Sequence, residues 1–216
     1  MSEGELIPAN PPRKSRARKI FFSLLVVITI GMAVERVWYH YTYPYGWSHA
    51  CSKGLALGLL GYAGDHEHWL PHGEPTPEAS LSLLYKNDPV TGQWVLGGKN
   101  IRHETVEAIL KRDGKLSPDT CGWNYVEGLR DDDDPQIAVA WDKVVGLGHN
   151  GERQPGLMHE VVFCGSTGFI AKNYWPEFIA DQKKRLAELI VSRGSNAPPI
   201  RWSDEESLGP NRPIRK

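Results

Sequence analysis

The sequence predicts an α+β protein with an N-terminal transmembrane helix and a small antiparallel sheet in the domain that follows. Three observations lead there. An uncharged apolar run, Ile20 to Val34, sits between a basic segment and a cluster of aromatic residues. Short stretches of helical periodicity fill the first half of the remaining chain, and short alternating apolar stretches separated by turn residues fill the second. A last helical pattern, Pro176 to Ser192, closes the order, and helices segregated from strands are the α+β signature.

The first element is argued from charge and length. Residues 1–19 carry Arg13, Lys14, Arg16, Arg18 and Lys19 against Glu3 and Glu5. Spanning the hydrocarbon core takes roughly 20 mainly apolar residues. The run reaches that length when Val37 to Tyr39 are included and Glu35 and Arg36 lie near the interface. Basic residues stay on the cytoplasmic side, and Trp38, Tyr39, Tyr41, Tyr43 and Tyr45 suit the headgroup level. The expected organisation is a cytoplasmic segment 1–19, a single transmembrane helix 20–40, an extracytoplasmic domain 41–192 and a flexible tail 193–216. A cleaved secretory signal shares the basic start and short apolar core, but Gly31-Met32-Ala33 is a mediocre cleavage site.

Tyr43-Pro44-Tyr45-Gly46 should end the first helix. Trp47 to Ala63 places Trp47, Ala50, Cys51, Leu55, Leu59 and Tyr62 near one helical face, with Gly54, Gly58 and Gly61 allowing another element to approach. Gly64 to Pro75 is a polar, histidine-bearing loop. Thr76-Pro77-Glu78 marks a helix start, with a threonine cap and proline at the first position, leading into Ser80 to Lys86. Asn87 to Gly92 reads as a turn, and His103 to Arg112 as a helix stopped by Asp113-Gly114. Strands are expected at Trp123 to Val126, Ile137 to Trp141, Met158 to Phe163 and Thr167 to Ala171, the last two forming a hairpin around Gly165-Ser166. In the last helix Ile179, Leu186, Leu189 and Ile190 share a side. Four prolines and sparse apolar content make Arg193 to Lys216 a mobile tail.

Composition limits the function classes. The formal net charge is −1 in 216 residues, so there is no electrostatic case for a nucleic-acid partner. The expected partner is membrane lipid. The three cysteines, Cys51, Cys121 and Cys164, cannot all pair within one chain. Cys51 with Cys121 is the preferred pair, because Cys164 lies in an apolar strand pattern and reads as a buried apolar residue.

Three stretches together resemble the type IV pilin-like proteins, specifically the family related to the type II secretion major pseudopilin. FFSLLVVITI at Phe21 to Ile30 looks like the FTLIELLVVIAI start of those proteins. CSKGLALGLLGYAGDHEHWLP at Cys51 to Pro71 resembles their CxxNLKQLGLALxMYAxDxxGxxP segment. The stretch Tyr125 to Ile170, with DDDDPQIAVAWDK, His149-Asn150-Gly151 and VVFCGSTGFI, is similar to the DDPPDLPLAWD, HGG and NVLFADGHV ending of a bacterial subgroup. The resemblance runs in consistent order over about two thirds of the chain. It implies a bacterial inner-membrane protein with its N-terminus in the cytoplasm, a pilin-like outer domain, a structural rather than enzymatic role, and other pseudopilin or secretion-system subunits as partners. It also shows departures. Arg18 stands where the family has the glycine before its processing cut, Lys19 where the methylated phenylalanine would be, and Ser23 where the subunit-registering glutamate would be. Cys164-Gly165-Ser166-Thr167 replaces Ala-Asp-Gly-His. A pilin fold without fibre assembly, used as a membrane-tethered binding domain, is the alternative these departures support.

Two clusters suggest metal chemistry. Asp65, His66, His68 and His72 carry imidazoles at a spacing that zinc or copper accepts, and a metal-binding or enzymatic outer domain would centre there; the ordinary reading is a solvated loop. Asp131, Asp132, Asp133 and Asp134 offer oxygen ligands, with Asp142 as an added one, and calcium is the cofactor they would suit, secretion pseudopilins being known for a calcium site in a late loop. The ordinary reading is a solvated acidic turn. No catalytic residue is assigned. Ser166 with His149 or His159 lacks a G-x-S-x-G elbow, Cys164 with a histidine has no better context, and Gly97-Gly98-Lys99 lacks the rest of a phosphate-binding loop.

Overall fold

The computed structural model describes residues 14–47, 52–194 and 197–203. The chain divides into two compact units, 1–41 and 42–216. Helix α1 covers Lys14–Thr42, 29 residues, which at about 1.5 Å per residue is more than the roughly 30 Å hydrocarbon thickness. From Arg18 to Tyr41 its described side chains are all exposed, and it is the one described helix long and apolar enough to cross a membrane. The Thr29 hydroxyl donates to Leu25 O at 2.8 Å, so this polar group is satisfied within the helix. Thr42, Tyr43-Pro44 and Gly46 end it as the sequence predicts, with Gly46 at φ 85°.

The second unit runs α2 (Ser52–Asp65), α3 (Pro77–Leu81), α4 (Leu83–Asn87), α5 (Pro89–Val95), α6 (His103–Asp113), β1 (Trp123–Glu127), β2 (Ala138–Asp142), β3 (Met158–Phe163), β4 (Ser166–Ala171), α7 (Trp175–Arg193) and β5 (Arg201–Trp202). The expected α+β class is observed. Thr76 caps α3 by accepting from the Ala79 N–H at 3.2 Å, and Gly114 closes α6 in the left-handed conformation, φ 73°. Two expectations need correction. Asn87 to Gly92 is not a simple turn, because α5 starts at Pro89, which suits a helix's first position. Gly92 is required there, since a Cβ would lie 2.7 Å from Tyr85 Cα.

The sheet order is β4-β3-β2-β1-β5, all neighbours antiparallel. The second correction concerns the chain end. Residues 197–203 are not a free tail: β5 pairs Trp202 with Val126 and Arg201 with Glu127, and the Ser203 hydroxyl accepts from the Tyr125 N–H at 2.9 Å. Arg193, expected to open the tail, is the last residue of α7. The remainder of the expected tail, 204–216, lies outside the described residues.

Side-chain alternation places the layers. On β3, Glu160 meets Ser52 of α2, while its neighbour His159 stacks on Trp175 of α7. Successive strand residues face opposite sides, so α2 covers one face and α7 the other. That explains why β1 and β2 are buried at all five positions each: neither face meets water. The core joins Leu55, Leu59 and Tyr62 of α2 to Trp123, Tyr125, Ala140, Trp141, Val161 and Val162 of the sheet. On the α7 side Trp141 meets both Trp175 and Trp202 edge-on, and the Gln182 amide binds the β2 entry, accepting from Ala138 N–H at 2.8 Å and donating to Gln136 O at 3.1 Å.

Candidate functional site

The most unusual chemistry is built on a close crossing of two backbones. Gly97 and Gly98 follow α5, and Gly122 precedes β1. A Cβ on Gly122 would lie 2.0 Å from Gly97 O; one on Gly98, itself at φ 54°, would lie 2.7 Å from Gly122 O. The Gly122 N–H donates to Leu96 O at 2.9 Å. Only glycines fit this crossing, and it delivers the next residue, Lys99, to the interior.

There the Lys99 ammonium, with a side chain 2% exposed, has three acceptors for its three hydrogens. They are Asp142 Oδ2 at 3.2 Å, Leu147 O at 2.9 Å and Glu160 Oε2 at 2.8 Å. Asp142 ends β2, and its side chain is 1% exposed. Its Oδ1 lies 3.0 Å from His159 Nδ1; an ionised carboxylate only accepts, so that nitrogen carries the hydrogen. Asp142 Oδ2 also accepts from the Glu160 N–H at 3.1 Å. Glu160 Oε1 accepts from the Ser52 hydroxyl. The His159 ring lies flat on Trp175, centroids 3.8 Å apart. An amine and two carboxyl groups are thus held within hydrogen-bond reach where bulk water is excluded. Removing one member of such a buried set leaves an uncompensated charge, which costs about 3–5 kcal/mol.

A second buried carboxylate, Glu127 on β1, accepts from the Ser80 hydroxyl at 2.5 Å and from the Arg201 guanidinium. Arg201 also donates to Pro75 O at 3.1 Å and Glu74 O at 2.5 Å, tying β5 to the loop before α3. A cavity of about 390 Å³ opens beside it, lined by His72, Glu74, Pro75, Glu127, Pro199 and Arg201.

The residues singled out for metal chemistry are placed differently from that expectation. Each of the four aspartates in 131–134 has its own basic partner. Asp131 pairs with His68 at 2.8 Å, Asp132 with Arg130 at 2.7 Å, Asp134 with Arg185 at 2.8 Å, and Asp133 with Arg193. Asp142 is committed to the buried lysine. These carboxylates therefore do not converge as a calcium ligand set. The histidines also diverge: His66 Nδ1 lies 2.7 Å from Tyr62 O, His68 Nδ1 faces Asp131, and His72 Nδ1 lies 2.9 Å from Leu70 O. Among the described residues no three His, Cys, Asp or Glu side chains gather as a metal would need. What this region builds instead is a clasp. Trp69 lies beneath both the Arg130 and Arg193 guanidinium groups, 5.1 and 5.2 Å from its ring centre, and Glu67 and His68 take positive φ to make the turn. The Arg130 hydrogen bond holds the Asp132 carboxyl below the usual range. Asp134 is lowered first by the Gln136 N–H and then by Arg185.

The thiols are quiet. Cys121 is buried, with a free thiol; the preferred Cys51–Cys121 bridge involves Cys51, which lies outside the described residues. Burial pushes the Cys121 thiol up to about 11. Cys164 is half-buried in the β3–β4 turn rather than within the strand. Its thiol is also raised to about 11, by burial first and then by the nearby aspartates. Both are poor nucleophiles at neutral pH. Ser166 is not beside His159, since Ser166 pairs with Phe163 at one end of the β3–β4 ladder and His159 with Ile170 near the other.

No family model matches the chain, and no curated protein and no solved structure matches it. Sequence reasoning weighed Lys99 only as part of a phosphate-binding loop and passed over Glu160. The available signals were a lysine directly after two glycines and an acidic residue inside the apolar strand MHEVVF, neither of which names its partner.

Proposed function

We propose that this chain is a single-span protein of the bacterial inner membrane, with its N-terminus in the cytoplasm, whose outer domain is a pseudopilin-like structural module. The observation that carries it is the uncharged run Ile20 to Val34 within a 29-residue helix whose described side chains from Arg18 to Tyr41 are exposed. Such a surface is stable against lipid and unfavourable against water. The helix-on-meander arrangement of α2 with β1 to β4 is compatible with the pilin-like part of the reading. A structural role agrees with an interior whose strongest polar groups bind one another.

Ser23 favours a second reading within the same class. A carboxylate in the apolar helix would need a partner in lipid, and Ser23 removes that demand. The outer domain would then act as a tethered binding module without a fibre.

Alkaline extraction of membranes, followed by intact-mass measurement of the full-length protein, tests the proposal. The expected result is retention in the membrane with the N-terminal segment intact. Release into the soluble fraction, or a mature chain beginning near Val34, would sink it. Chemical cross-linking in cells separates the two versions, since a ladder of multiples supports assembly and a monomer band supports the tethered module.

A further inference from the structure

The Lys99 cluster has the composition and placement for a covalent reaction within the chain. We propose that Lys99 and Asp142 condense to an isopeptide bond, joining Nζ to Cγ, with Glu160 as the proton carrier. This inference does not depend on the membrane reading.

Three observations carry it. First, the reacting groups are pre-positioned: Nζ is 3.2 Å from Asp142 Oδ2, and the glycine crossing at Gly97, Gly98 and Gly122 leaves the lysine little freedom. Positioning of this kind converts a bimolecular condensation into an effectively unimolecular one. Second, the site is dry. Two buried charges lose their hydration, and a low-dielectric interior repays that incompletely. An uncharged amide removes two of the three buried charges, and Glu160 keeps the Ser52 hydroxyl as a donor. Third, each atom that must change charge has a neighbour suited to it. Glu160 Oε2, 2.8 Å from Nζ, accepts a proton from the ammonium and frees its electron pair. The amine then attacks Cγ of Asp142. Negative charge develops on Oδ1, which faces the His159 Nδ1–H at 3.0 Å. Glu160 returns its proton to Oδ2, the nitrogen gives up a second proton to the same oxygen, and Oδ2 leaves as water. An ammonium and a carboxylate become an amide and one water molecule, with no oxidant, reductant or external co-reactant. Glu160 ends as it began.

Asp142 rather than Glu160 is assigned as the electrophile because both its oxygens have donors besides the lysine: His159 at Oδ1 and the Glu160 N–H at Oδ2. Glu160 has the oxygen closest to Nζ, which suits proton transfer.

The test is mass spectrometry of the full-length protein purified from cells, whichever fraction holds it. The expected finding is an intact chain lighter by one water than its sequence, and a tryptic species joining the peptide that contains Lys99 to the peptide that contains Asp142. In Glu160→Gln that joined species disappears and the full sequence mass returns, although Lys99 and Asp142 are both present. Lys99→Arg serves as the unjoined control. Wild-type protein that yields separate, unmodified peptides overturns the proposal whatever the variants do. A branch to the Glu160 peptide overturns the assignment of Asp142, because trypsin cleaves after Lys143 and Arg153 and so separates the two carboxylates.

Discussion

Two regions of this molecule match acidic groups to basic ones, and they differ in water. In the acidic run, Asp132 and Asp134 meet Arg130 and Arg185 at the surface, where solvent screens each pair. In the interior, one lysine serves two carboxylates with almost no exposure. The surface set has more charges, and its contacts are no longer than the buried ones. The buried set has more at stake, because an unmatched charge there has no water to fall back on. Density of charge along a sequence is therefore a poor guide to where electrostatics matters.

The largest effect should come from breaking the buried set. Lys99→Ala leaves Asp142 and Glu160 facing each other without a cation and should lower the unfolding free energy by about 3–5 kcal/mol in urea denaturation. A loss no larger than that of a surface substitution would show that water reaches the site. Next comes the scaffold that positions it. Gly122→Ala places a Cβ 2.0 Å from Gly97 O, where backbone rather than a flexible side chain must move. Overpacking of this kind costs about 1–3 kcal/mol, and the same denaturation measurement checks it. The smallest effect belongs to the surface. Asp132→Asn should change stability by no more than about 0.5 kcal/mol, and less in high salt. The pH sign follows from the lowered carboxyls of Asp132 and Asp134. A carboxyl lower in the folded chain than in the unfolded one adds stability above its unfolded value, about 4, and loses it as pH falls through the folded value. Thermal melts from pH 6 down to pH 2 should show the Asp132→Asn difference fading toward the acid end. A difference that grew on acidification would reverse the assignment.

Local chemistry made much of the fold legible. The cap at Thr76, the stop at Gly114 and the alternating strands are set by neighbours a few residues away, and they are where the sequence places them. Elements that depend on distant partners were not legible. Residues 89–95 contain Pro89 and Gly92 and read as a turn, but Gly92 is needed for close packing on Tyr85. Residues 201–202 follow two prolines and read as tail, yet they form a strand because Glu127, far back in the chain, holds Arg201. The candidate site is the extreme case. Lys99, Asp142 and Glu160 come from a turn and two strands, and their meeting depends on a glycine crossing that no periodicity reports. The acidic run misled in the opposite sense: four adjacent carboxylates are conspicuous in sequence, while Arg185 and Arg193, which neutralise two of them, lie on a helix that follows much later.

The short strand β5 has a consequence for how copies of this protein can meet. It covers β1 at one border of the sheet, while β4 at the other border pairs, among the described residues, only with β3. An open strand border is what another chain's strand joins. At the opposite border the outer strand is β5, only two residues long, and a very short border strand is a poor template for another chain. The six-residue β4 is therefore the described border on which a second chain's strand would pair.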